Sequence, residues 1–440
     1  MRKKATSLRT LAAGSIGNFI EIYDFAVFGF SVPIIAQHFF PGTDKTAALL
    51  SVFAVYAVAF FARPVGGVIF GYLADIVGRT KVLAWTVWLM AAGTAFIGLL
   101  PTYSSLGVAA PILLVMFRFA QGMALGGETS GAASYIIESA SEAKRGRWVG
   151  ASYAFGYIAN ACVGILFMLQ DVVGKVAYTD WVWRAPFVIG GLLGIVGFWL
   201  RLGLEEPDEF KEVASETAAR NPMLIAARSG TKGMVHVLLL MPVLAVSAYL
   251  LLGFMFTFLV TQVKMPHTMA LLTNAAGIAA IAITLPLAGS LSDRFGRKKI
   301  VSLGAVWIAL SAFPALWLAS SGTVEGALIG QVVFGIGVGI YGAASMTAML
   351  EVFPTAYRAT GHAISYQFSV AVFGGTTPFI ATWLVHKFNS PLAPGVYTAI
   401  VGAVGLLAIQ FVPETRHLKL RTSTEDSNHS DMPDGAETAR

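Results

Sequence analysis

Apolar runs of about 20 residues recur along the whole chain, separated by short polar gaps, and this excludes most folds. A segment inside a bilayer must close its backbone hydrogen bonds within itself, which a helix does. The gaps hold most of the charge. Only 12% of the 440 residues are charged and 56% are hydrophobic, where a soluble chain carries about 25% charged residues. A large soluble helical domain would show polar stripes on its outer helices, and few are visible. The chain therefore reads as an all-α polytopic membrane protein.

The runs fall at about 14–37, 48–74, 81–100, 109–137, 147–170 and 184–203, and again at about 234–261, 269–291, 298–319, 324–349, 359–386 and 394–412. These twelve spans suggest a six-helix bundle over 1–203, a polar linker over 204–233, a second six-helix bundle over 234–412 and a disordered tail over 413–440. With the N-terminus inside, 23 of the 30 Lys and Arg residues fall in cytoplasmic segments. The exceptions are Lys45, Lys175, Arg184, Lys264 and Lys387 outside, and Arg63 and Arg118 within helices. Both termini and the linker are thus expected in the cytoplasm of a cell with the protein in its inner, plasma membrane. The start, Met1 to Lys4 followed by an apolar stretch, superficially resembles a signal peptide, but Glu21 and Asp24 interrupt that stretch, so it reads as the first span.

Several function classes drop out. The lone Cys162 allows neither a disulfide framework nor a cysteine metal site, and the seven histidines form no cluster at ligand spacing. No metal or other cofactor is expected. The net charge of +6 sits in short loops rather than on one soluble face, so no nucleic-acid partner is expected. No Walker A sequence and no nucleophile constellation is present, which argues against ATP-driven transport and against an enzyme.

One loop occurs twice. Gly66 to Lys81 reads G-G-V-I-F-G-Y-L-A-D-I-V-G-R-T-K, and Gly289 to Lys299 reads G-S-L-S-D-R-F-G-R-K-K. Gly67 and Gly71 let helices approach closely. Asp75, Gly78 and Arg79 in the first copy match Asp293, Gly296 and Arg297 in the second. A duplicated helical unit explains the repeat. A second correspondence sets Glu138 and Arg147 beside Glu351 and Arg358. These charges are expected to form a cytoplasmic lattice that closes the inner side and breaks when it opens.

An ionised side chain inside the bilayer costs a few kcal/mol or more unless it is paired or wet. The expensive residues are Glu21, Asp24, Arg63, Arg118 and Glu128, all in the first half. At about 1.5 Å of rise per residue, Asp24 and Arg118 both lie roughly 15 Å deep, near the midplane. Glu21 precedes Asp24 by three residues and is expected on the same face. Asp24, Glu21 and Glu128 are the proton-carrying candidates. Arg118 is their counter-charge or the receiver of a substrate carboxylate. Arg63 reads as structural, near the inner end of its span. Tyr23, Gln121, Tyr157 and Asn160 in the first half, and Tyr249, Asn274, Tyr341, Tyr366 and Gln367 in the second, are candidate walls of a substrate cavity. Gln121 lies three residues from Arg118 and faces the same way.

These motifs resemble the major facilitator superfamily, and within it the metabolite:proton symporters of proline, betaine, citrate, 2-oxoglutarate and shikimate. The markers are Gly17 to Phe25, Arg63 to Gly67, Gln121-Gly122 with Gly126-Gly127-Glu128, Trp183 to Phe187 and Leu204 to Phe210. The resemblance implies the major facilitator fold, alternating access, a monomeric transport unit and symport with protons. A short tail without heptads, and the text from Glu351 to Leu384, favour the carboxylate carriers. The expected function is thus import of a small carboxylated metabolite, a di- or tricarboxylate, shikimate or an aromatic acid. Arg118 would bind the carboxylate, and Asp24 with Glu21 would take the proton. The alternatives are proline or betaine uptake and a ligand sensor without turnover.

Overall fold

The computed structural model describes residues 8–42, 45–167, 173–202, 229–418 and 420. Its principal helices are α1 (Leu8–Phe39), α2 (Lys45–Ile76), α3 (Arg79–Leu99), α4 (Ala109–Ser139), α5 (Arg145–Phe167), α6 (Ala185–Leu202), α7 (Thr231–Tyr249), α8 (Phe256–Thr261), α9 (His267–Phe295), α10 (Arg297–Ser320), α11 (Val324–Glu351), α12 (Arg358–Ser369), α13 (Thr377–Phe388) and α14 (Ala393–Ala408). Among the described residues, nine helices are long and apolar enough to cross a membrane. Phe61, Trp199, Leu310 and Phe411 are each more than 70% exposed, as lipid-facing residues are.

Lipid tails are as apolar as leucine, so such helices adhere through close packing rather than through escape from water. Glycine makes that packing possible. A Cβ on Gly66 would lie 1.8 Å from the Met123 carbonyl oxygen, and one on Gly126 2.0 Å from that of Arg63. These contacts press α2 against α4. Gly78 and Gly296 act through their backbone instead. They open α3 and α10 with φ of 116° and 105°, a region that a side chain strains. The two copies of the repeated loop therefore make the same backbone turn.

Helices α1–α6 pack mainly on one another, as do α7–α14, and the two sets meet along α2–α12, α4–α12, α5–α9 and α5–α11. Two wide π-turns interrupt the second set, at Leu250–Met255 between α7 and α8 and at Val370–Gly374 between α12 and α13. They fit into each other's flanks. A Cβ on Gly253 would lie 2.8 Å from Pro378, and one on Gly374 2.7 Å from the Tyr249 ring.

Most of the expected linker, and residues 421–440, lie outside the described residues. Residues 413–418, at the start of the stretch read from composition as a disordered tail, pack against the bundle. Thr415 is fully buried and Leu420 nearly so.

Candidate functional site

Helix α1 has two unlike sides. Ile20, Tyr23, Asp24, Val27, Phe28 and Ser31 are buried, whereas Glu21, Ile22, Phe25, Ala26, Gly29 and Phe30 are not. Residues three apart on a helix differ by about 60°, and the boundary between the two sides runs between Glu21 and Asp24. The expected shared face is therefore split, and each carboxylate has its own arginine.

Asp24 lies in a dry network. Arg118 Nη1 donates to its Oδ2 at 2.6 Å, and the Gln121 amide donates to its Oδ1 at 2.8 Å. Arg118 also donates to Gln121 Oε1 at 3.0 Å. The Thr94 hydroxyl lies 2.9 Å from Asp24 Oδ1 and 2.8 Å from the Gln121 nitrogen. The Arg118 guanidinium stacks 4.1 Å from the Phe28 ring centre. The side chains of Arg118 and Asp24 are 0% and 3% exposed. A charge-assisted pair so enclosed holds α1, α3 and α4 together. Tyr23 belongs to the same packing and not to a cavity: its hydroxyl donates to the Pro186 carbonyl at 2.7 Å.

Glu21 takes the other arginine. Arg63 Nη2 lies 3.1 Å from Glu21 Oε1. The guanidinium lies 4.6 Å from the Phe25 ring centre and 5.0 Å from that of Phe60, and these two rings meet edge to face at 5.2 Å. Arg63 lies mid-helix in α2 and does not reach an interface. The Tyr249 ring, from the second set of helices, meets Phe60 edge-on at 6.3 Å. Tyr153, Tyr157 and Tyr366 all lie within electrostatic reach of the Glu21 carboxylate. Glu21 and Arg63 thus sit against an aromatic cluster with members from both sets. Gly29 continues the open side of α1, where an added Cβ would meet nothing within 4 Å.

The other sequence candidates separate cleanly. Tyr249 belongs to the aromatic cluster, and Tyr157 and Asn160 are half-buried on α5. Asn274 is bound into the fold: its amide donates to the Leu251 carbonyl, which the π-turn frees, and to Gln331 at 3.0 Å. Gln367 donates to the Gly126 carbonyl at 3.1 Å, linking α12 to α4. Tyr341 donates to the Leu240 carbonyl at 2.7 Å and is fully buried. Tyr341→Phe should therefore cost about 1 kcal/mol, read as a small fall in melting temperature, with unchanged substrate affinity. The Glu128 side chain lies outside the described residues.

The charge lattice joins the two sets at the end where α5 and α10 begin. Arg358 pairs with Glu138 at 2.5 Å across the seam, with both side chains fully buried. Asp293 accepts the Gly146 and Arg147 backbone N–H groups at 2.8 and 2.9 Å, capping the start of α5 from the other set. Arg297 binds Asp293 at 2.7 Å and Glu351 at 3.1 Å. Arg145, not Arg147, supplies the basic side chain of the first set: it lies 3.9 Å from Glu351, and the Arg147 side chain is exposed. Gly67 and Gly71 sit in this seam, where an added Cβ would lie 3.2 Å from Gln367 and from Ala363 respectively. The Asp75 and Arg79 side chains lie outside the described residues.

The segment after α14 braces the lattice. Glu414 accepts the Arg297 and Lys298 backbone N–H groups at 2.8 and 3.1 Å, and Thr415 donates to Glu351 at 2.6 Å. Arg145 donates to the Leu418 carbonyl at 2.9 Å. Burial alone would raise the Glu414 pKa, but the N–H groups of Arg416, Arg297 and Lys298 and the Arg297 charge hold it below its ordinary value.

The sequence profile of the Major Facilitator Superfamily matches residues 14–364 and 262–434. The chain belongs to that superfamily. A major facilitator is a membrane transporter and not an enzyme. This one is 32% identical over 428 residues to the proline/betaine transporter of Escherichia coli strain K12, covering 94% of this chain and 85% of that protein. It is 33% identical over 418 residues to the ectoine/proline transporter ProP of Corynebacterium glutamicum, covering 91% and 82%. Solved structures give the fold. The proton:xylose symporter XylE bound to 6-bromo-6-deoxy-D-glucose superposes with a TM-score of 0.74 at 18% identity, covering 94% of this chain and 97% of that one. The fucose:proton symporter FucP of E. coli reaches 0.68 at 14%, covering 92% and 98%.

These relatives overturn the expectation of a di- or tricarboxylate, shikimate or aromatic-acid carrier. The geometry agrees with that correction, because Arg118, the expected acid receiver, is fully buried and engaged by Asp24 and Gln121. Sequence reasoning took Arg63 as structural and passed over Thr94, Phe25, Phe28 and Phe60. The signal for Arg63 was present, as a charge in an apolar run; its partner lies 42 residues earlier and was not legible.

Proposed function

We propose that this facilitator is a proton-coupled symporter that imports small zwitterionic osmolytes of the proline and betaine type. The observation that carries the reading is the Glu21–Arg63 pair beside α1, set against the Phe25, Phe60 and Tyr249 rings. Among the described residues the site carries one charge of each sign, a group for each end of a zwitterion. The relatives named for proline, betaine and ectoine support it. The protein works as a monomeric unit of twelve spans, with α7–α8 and α12–α13 each forming one broken span, in two six-helix halves. The excess of Lys and Arg at the lattice end supports a cytoplasmic location for that end and for both termini.

Asp24 is the coupling carboxylate. A proton on it removes the charge that Arg118 pairs with and loosens α1 from α3 and α4. The lattice closes the cytoplasmic side while substrate and proton enter, and its breakage accompanies release inward. The test is uptake into proteoliposomes under an imposed inward proton gradient, with labelled betaine, proline, ectoine, citrate, 2-oxoglutarate and shikimate. Accumulation of the zwitterions, abolished by a protonophore, is expected. Uptake of the acids alone, or zwitterion uptake indifferent to the gradient, would overturn it.

A further inference from the structure

We infer that Glu21 and Arg63 are the two charge partners of the substrate, Glu21 facing its ammonium and Arg63 its carboxylate. The inference deepens the zwitterion reading above and rests on it.

The two ion pairs of the first half differ in what else could reach them. Both oxygens of Asp24 are engaged by side chains of its own half, and Arg118 is fully buried. Glu21 lies on the open side of α1, and its side chain keeps 13% of its exposure. Arg63 is held by Glu21 and by the flat faces of Phe25 and Phe60. An aromatic face that holds a guanidinium can equally hold a quaternary or secondary ammonium. A zwitterion entering between Glu21 and Arg63 exchanges one ion pair for two: its carboxylate takes the guanidinium fork and its ammonium takes Glu21. The exchange adds no net charge, and neither Glu21 nor Arg63 is left without an opposite charge. The substrate would also touch both halves, because the Tyr249 ring reaches across the seam to Phe60, which lies against Arg63.

This arrangement makes a selectivity prediction that a structural pair does not. The probes are betaine, 3,3-dimethylbutanoate, which has its shape without the positive charge, and choline, which lacks the carboxylate. Binding to purified protein is read by displacement of labelled betaine and by ligand-induced thermal shift. Glu21→Gln should weaken betaine about tenfold or more and bind the anion better than the parent does. Arg63→Met should weaken betaine similarly and bind choline better. The double variant, Glu21→Gln with Arg63→Met, leaves no unpaired charge; it should fold, keep its melting temperature within a few degrees and lose betaine. Unchanged betaine affinity in the double variant overturns the inference. So does a uniform loss of all three probes in both single variants, which marks a purely structural pair. If the parent itself binds no zwitterion, the zwitterion reading fails first, and the parent measurement shows it.

Discussion

Asp24→Ala should abolish gradient-driven uptake and destabilise the protein by about 3–5 kcal/mol, the cost of stripping one partner from a buried ion pair. Arg118 is 0% exposed and would be left with a positive charge in a dry site beside Phe28. The pairing of Asp24→Leu with Arg118→Met should behave differently. It removes both charges together and refills the space, so most of the stability should return while coupled uptake stays absent. Thermal unfolding in detergent separates the two outcomes. A double variant as unstable as Asp24→Ala would mean that the shape of the Gln121 and Thr94 network, and not its charge, holds the helices.

The second large effect concerns closure at the lattice. A Cβ on Gly150 would lie 2.5 Å from the Leu285 carbonyl oxygen and 2.9 Å from its carbon, and one on Gly289 2.2 Å from the Gly146 oxygen. These are backbone atoms and cannot swing aside. Gly150→Leu should wedge α5 from α9 and forfeit the Asp293 cap and the Glu138–Arg358 pair. A bias of about 2.7 kcal/mol against the closed arrangement lowers its population about a hundredfold, and uptake should fall accordingly. A cysteine placed at Ser365, 4% exposed here, in a chain with Cys162 replaced by serine, should then react with an impermeant maleimide from the lattice side. Labelling and uptake equal to the parent's would show that the seam yields elsewhere.

The repeated loops carried their structure openly. Gly78 and Gly296 occur where a backbone with positive φ is needed, and Asp293 with Arg297 forms the expected contact. The buried charges were legible too, because ionised groups in apolar runs demand partners, and Arg118 with Gln121 meets Asp24 as their depth and spacing imply. What the sequence could not carry was the direction of each side chain around its helix. Glu21 and Asp24 lie on either side of a boundary set by neighbouring helices, not by α1 itself. Asn274 and Tyr341 read as cavity polar groups, yet the backbone consumes them, and the π-turn that frees the Leu251 carbonyl has no plain sequence sign. The substrate reading leaned on Arg118 as a free receiver, whereas the aromatic wall that favours an ammonium is assembled from α1, α2, α5, α7 and α12, far apart in the chain.

The brace formed by Glu414, Thr415 and Leu418 also has a place in time. Synthesis runs from the N-terminus at about 5–20 residues per second, so these residues emerge after every helix they hold. Until then the first N–H groups of α10 have no carboxylate, and Glu351 has only its arginines. The newborn bundle therefore assembles with its seam unfastened, and the segment that latches it is made after all of the helices it joins.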